Sequence, residues 1–105
     1  MINVTRFFGD ADRVFCLSDP MIQELERLSG VGIGTIYQRA IAQQFKLDDL
    51  THTLRLALIG GGTSPQDAAQ LVDTWAQNRP FAETFPLALD VLDARWNGIT
   101  QEQPE

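Results

Sequence analysis

Between Leu54 and Val72 the chain reads LRLALIGGGTSPQDAAQLV, and this stretch restricts the possible folds more than any other. An apolar helical run stops on Gly60, Gly61 and Gly62, and Ser64-Pro65-Gln66-Asp67 at once opens another segment. Glycine takes positive φ without a Cβ clash, so it suits the position just past a helix end. Ser64 is placed to accept a hydrogen bond from the Asp67 amide, and Pro65 fits the first helical position. Asp67 favours the positive end of the helix dipole. Two helices so joined must fold back on each other or cross steeply. Gly60, Gly61, Gly62, Ser64 and Pro65 are therefore the structural hinge around which a core forms. The same residues also suggest a phosphate cradle, with loop amides aimed at an anion. Against it, the lysine of a G-x-x-x-x-G-K-[ST] loop is missing, no clear strand precedes, and Asp67 would place a negative charge beside the phosphate.

A chain of 105 residues suits one domain, here 1–99, followed by a short acidic tail at 100–105 that is expected to be disordered. A domain of this size buries enough surface to hold without staples. The single Cys16 excludes an internal disulfide and any zinc site built on several cysteines. It sits in Val14-Phe15-Cys16-Leu17, where a small buried hydrophobe is the simplest role. A net charge of −6, from fourteen acidic and eight basic residues, opposes sequence-independent binding to nucleic acid. Neither a signal-peptide pattern nor an apolar run near the ~20 residues of a membrane span is present. The expectation is a soluble protein of the cytoplasm.

The pattern along the chain predicts a mainly α fold with an N-terminal β-hairpin, a small α+β bundle of about five helices. The hairpin is expected over residues 2–17, turning at Gly9-Asp10-Ala11-Asp12. Phe7 and Phe8 are adjacent, so a strand points one inward and the other outward. Helical periodicity then predicts helices at about 19–29, 33–44, 48–59, 65–78 and 84–97, the last starting at Phe81 or Thr84. In the third, Leu47, Leu50, Leu54, Ala57 and Leu58 form a stripe widened by Leu56 and Ile59. Such width suits a central helix touched on several sides. Asp48 is read as its cap, Arg55 as a side chain reaching from an apolar helix to the surface, and Tyr37 as a hydrogen-bonding ring at the core edge.

Catalysis needs a nucleophile with a base, paired carboxylates or a metal cluster. One histidine, His52, and one cysteine lie in unrelated segments. Asp90 and Asp93 share a helical face, but no third ligand accompanies them, and they read as a solvated surface. The expectation is no enzyme, no cofactor and no metal. Leu25–Ala40, LERLSGVGIGTIYQRA, approaches a helix-turn-helix phrase. Glu26 stands where that motif wants a small residue, and Arg39 where it wants an aliphatic one. Gln38, Arg39, Gln43 and Gln44 would face the bases. A DNA-binding regulator is a minority alternative on those grounds.

Three features in order carry a family resemblance. Leu25-Glu26 and Gly30-Val31-Gly32-Ile33 follow the hairpin. Next comes an Arg-x-Ala-Leu-Ile-Gly-Gly-Gly phrase (Arg55, Ala57 to Gly62). An Ala-Ala helix ending near Pro80 then precedes a final helix with Ala94 and Gly98. Over about residues 3–98 the chain resembles the gene-transfer-agent and phage family of tail assembly chaperones, some of whose members are labelled tail tube components. The resemblance implies a non-catalytic role in the bacterial host cytoplasm. Such a protein would hold the tape-measure protein soluble and help tail tube subunits polymerise around it. Tube subunits are β-rich, and the helical pattern here favours the chaperone. An amphipathic helix of the tape measure would lie in a groove between the hairpin and the helices flanking Gly60 to Gly62. Surplus apolar residues make Phe8, Phe81 and Trp96 the candidate partner-binding residues. A structural tail component is the other alternative.

Overall fold

The chain's architecture is a computed structural model that describes residues 2–98; the tail expected at 100–105 lies outside them. Val4–Phe8 (β1) and Ala11–Phe15 (β2) pair antiparallel, with Val4 opposite Phe15 and Phe8 opposite Ala11. The loop is only Gly9-Asp10. Gly9 has a φ of 75° and Asp10 does not have positive φ, the pattern of a type II′ turn that matches strand twist. Ala11 and Asp12, expected in the turn, belong to β2. Alternation turns Val4, Phe8 and Phe15 to the core, where the Phe8 and Phe15 rings meet edge-on at 5.9 Å.

Five helices follow, giving the mainly α fold with an N-terminal hairpin. They are α1 (Asp19–Ser29), α2 (Ile33–Ile41), α3 (Leu47–Gly60), α4 (Pro65–Trp75) and α5 (Phe81–Asn97). Gly30 ends α1 at a φ of 79°, its amide donating to the Glu26 carbonyl. Gly32 precedes α2 and has no side chain to cap it. Glu26 Oε2 accepts from the Ile33 amide at 2.9 Å instead, so α1 caps its neighbour. α2 and α4 stop short of residues 44 and 78, because Gln43 and Asn78 each adopt a φ of 58°. α5 starts at Phe81, directly after Pro80. Pro86 lies inside it but leaves only the Ala82 carbonyl without its usual donor, and both residues are exposed.

α3 packs on β2, α1, α4 and α5, and Leu50, Leu54, Leu56, Ala57 and Leu58 are all buried. Two expectations change at its start. Leu47 is 49% exposed because it occupies the first turn, outside the packed stripe. Asp49 rather than Asp48 supplies the cap, accepting from the Lys46 amide at 3.0 Å.

The hinge works differently from a simple helix stop. Gly60 is still helical and Gly61 has a φ of −86°; only Gly62, at 111°, needs glycine's backbone freedom. What Gly60 and Gly61 provide is closeness. A Cβ on Gly60 would overlap the Cys16 carbonyl oxygen, and one on Gly61 the Val14 carbonyl oxygen. The Cys16 amide donates to the Ala57 carbonyl at 2.9 Å, so the end of α3 lies directly on β2. Ser64 Oγ accepts from the Asp67 amide at 3.2 Å, with Pro65 opening α4.

Candidate functional site

The three candidate partner-binding residues are not brought together. Phe8 faces the core at 6% exposure rather than standing as a surplus surface residue, and the outward ring of the pair is Phe7, at 68%. Phe81 and Trp96 are about half exposed but stand at opposite ends of α5. Fifteen residues of helix separate them by about 22 Å. Phe81 meets Phe45 edge-on at 5.9 Å, and Phe45 stacks on Phe85 at 5.0 Å. With Pro86 these rings line a shallow notch of about 360 Å³. Trp96 stacks on Tyr37 at 4.7 Å, and the Tyr37 hydroxyl donates to the Asp93 carboxylate. That hydrogen bond first, and burial second, push the Tyr37 phenol above its ordinary 10.0.

The carboxylates read as a solvated face have partners. Asp93 takes the Tyr37 hydroxyl, and Asp90 lies 3.6 Å from Arg6 Nε. The phosphate cradle is not formed, because its amides turn back onto α3. Gly61 donates to Ala57, Gly62 to Ile59 and Thr63 to Leu58, all carbonyls. The helix-turn-helix phrase also loses its cationic base contact: Arg39 Nη1 lies 3.3 Å from Asp49 Oδ2, which is buried. Cys16 is buried at the end of β2, and His52 Nδ1 sits 3.5 Å from Arg55 on α3.

The end of α3 is in contact with β2, so the groove expected between the hairpin and the helices flanking Gly60 to Gly62 is present only on the α4 side. The hairpin has a cleft on either side of Trp75. One, of about 650 Å³ between β2 and the start of α4, is largely polar and lined by Arg13, Thr63, Ser64, Asp67 and Gln70. The other, of about 520 Å³, runs between β1 and α5 and is mainly apolar. Its floor is built from buried Phe8, Thr84 and Leu87, and its walls carry Phe7 and Trp75. Trp75 is seated against the hairpin turn, where a Cβ on Gly9 would lie 2.7 Å from the indole. The Arg79 guanidinium stands 5.6 Å from the Trp75 ring centroid, within cation–π range.

Charge around this second groove is balanced. Arg6 and Arg79 border it from the hairpin and the connection between α4 and α5, while Glu83 and Asp90 border it from α5. Arg6 pairs with Asp90 at 3.6 Å and Arg79 with Glu83 at 3.0 Å. Two cations against two anions leave the rim neutral on a protein of net −6. Nothing in this arrangement sets up a nucleophile with a base. It is a surface that can receive an apolar group without an electrostatic penalty.

A family model described as "Phage tail tube protein, GTA-gp10" matches residues 1–98. No curated protein and no solved structure matches the chain.

Proposed function

The chain belongs to the GTA-gp10 phage tail tube protein family, a gene transfer agent and phage tail family, and from that premise we propose a non-catalytic tail assembly chaperone. It binds the tape-measure protein in the bacterial host cytoplasm and keeps it soluble while the tail forms. The observation that carries this is the apolar, charge-balanced groove between β1 and α5, open on an otherwise acidic surface. Helical content supports a chaperone over a tube subunit: tube walls stack through sheets, and the described residues contain two strands of five residues each.

Co-expression with the tape-measure protein of the same gene cluster tests this. The expected result is a larger soluble fraction of tape measure and its co-purification with this chain. Unchanged solubility with no co-purification would refute it. The family's own description favours a second reading, a structural component of the tail. Purified particles separate the two, since a chaperone is left behind and a component is retained.

A further inference from the structure

Among the described residues, no strand pairs with the edge of β1 that faces away from β2. A two-residue loop makes Phe8 and Ala11 a hydrogen-bonded pair, and such pairs alternate along an antiparallel ladder. Arg6 with Arg13 and Val4 with Phe15 are then the other bonded pairs. Thr5 and Phe7 consequently direct their amides and carbonyls away from β2. Among the described residues, the Thr5 carbonyl takes Arg6 Nη1 at 2.9 Å, and the Phe7 amide and carbonyl and the Thr5 amide have no partner. This edge borders the groove floored by Leu87.

We propose that β1 receives a third strand. An extended, uncharged segment of the tail partner bonds to Thr5 and Phe7 and seats an apolar side chain over Leu87. The identity of the partner rests on the proposed function; the mode of binding does not. The exposed groups themselves select a strand. A helix satisfies its own backbone and has nothing to offer Thr5 and Phe7, whereas an added strand matches them at every second residue. Charge agrees, since the rim is already neutral and a charged segment would leave one of its ion pairs in competition.

A second copy of this chain fits poorly. The symmetric pairing that bonds Thr5 of each copy to Phe7 of the other places the two Arg6 residues directly opposite. Like charges in that position are destabilising.

The test uses the full chain with an acetylated, amidated heptapeptide of alternating valine and threonine, and amide exchange read by NMR. Expected is at least a tenfold slowing of exchange at Phe7 and Thr5, lost when alternate peptide amides are N-methylated. Phe7→Pro removes the outward donor without touching the β1–β2 ladder, as a proline at a sheet edge does, and should abolish the effect. Phe7→Thr keeps the donor and should retain it. If Phe7→Pro does not fold, the N-methylated peptide asks the same question from the other side.

No protection by the plain peptide, or equal protection by the N-methylated one, overturns the proposal. So does concentration-dependent protection without peptide, which would assign the edge to a second copy. If the folded Phe7→Pro protein holds the tape measure as well as the wild type, strand addition fails and the chaperone reading stands. If the peptide protects the edge but the tape measure does not bind, strand addition stands and the chaperone reading fails.

Discussion

The amide of Cys16 donates to the carbonyl of Ala57 at 2.9 Å, joining the end of β2 to the last turns of α3. This single bond is possible because Gly60 and Gly61 follow Ala57, with the backbone of β2 lying where their Cβ atoms would be. The hairpin is thereby fixed to the central helix through β2, while Thr5, Arg6 and Phe7 of β1 remain exposed.

Alanine at Gly60 or Gly61 is expected to destabilise the protein by more than ~2 kcal/mol, because backbone must move to admit the methyl group. Helix propensity alone predicts the opposite sign at Gly60, a gain of about 0.5–1 kcal/mol. At Gly62, where a Cβ meets open space but φ is 111°, the expected loss is smaller, about 1 kcal/mol. Chemical denaturation of the three variants checks the order.

Thr53 is fully buried in α3, and its hydroxyl has no hydrogen-bond partner among the described residues. Thr53→Val keeps the branched shape and removes the unsatisfied group. A stabilisation of about 1 kcal/mol is expected, seen as a raised Tm. Thr53→Ala should instead destabilise, because it leaves a cavity.

Asp49 joins two roles, accepting the Lys46 amide and facing Arg39 from within a buried position. Asp49→Ala should cost about 2 kcal/mol, more than an exposed helix cap alone. A double-mutant cycle with Arg39→Met should give a coupling of at least ~0.5 kcal/mol. Additivity would mean that the ion pair contributes nothing.

Tyr37 is the single tyrosine, so phenolate absorbance follows it alone. Its hydrogen bond to Asp93 favours the neutral phenol and raises the native pKa above the unfolded 10.0. The stabilisation is therefore complete below pH 10.0 and is lost as pH rises through the native value. Asp93→Asn should lower the titration midpoint toward 10.0, and Tyr37→Phe should remove this alkaline dependence of stability. A midpoint that Asp93→Asn leaves unchanged would contradict the assignment.

Local chemistry was written plainly in the sequence. Gly30 as a left-handed stop, Ser64 with Asp67 as a cap, and the broad apolar face of α3 depend on neighbours within a turn or two. Such neighbours fix backbone conformation before any long-range contact forms. Helix ends were less legible where an unannounced residue takes positive φ, as Gln43 and Asn78 do. Alternation showed that Phe7 and Phe8 part company, but not which one faces inward. That depended on β2 docking on α3, which turns Phe8 with Phe15 to the core.

The sequence by itself determined a hairpin followed by five helices with a hinge at Gly60 to Ser64, because helix propensity, capping and periodicity act over a few residues. The position of the groove was decided only by the tertiary structure. Glycines spaced for a helix stop became a place of close contact with a strand more than forty residues earlier. That contact confined the expected groove to the α4 side and left another between Phe7 and Leu87, since steric exclusion between distant segments has no signature in local sequence.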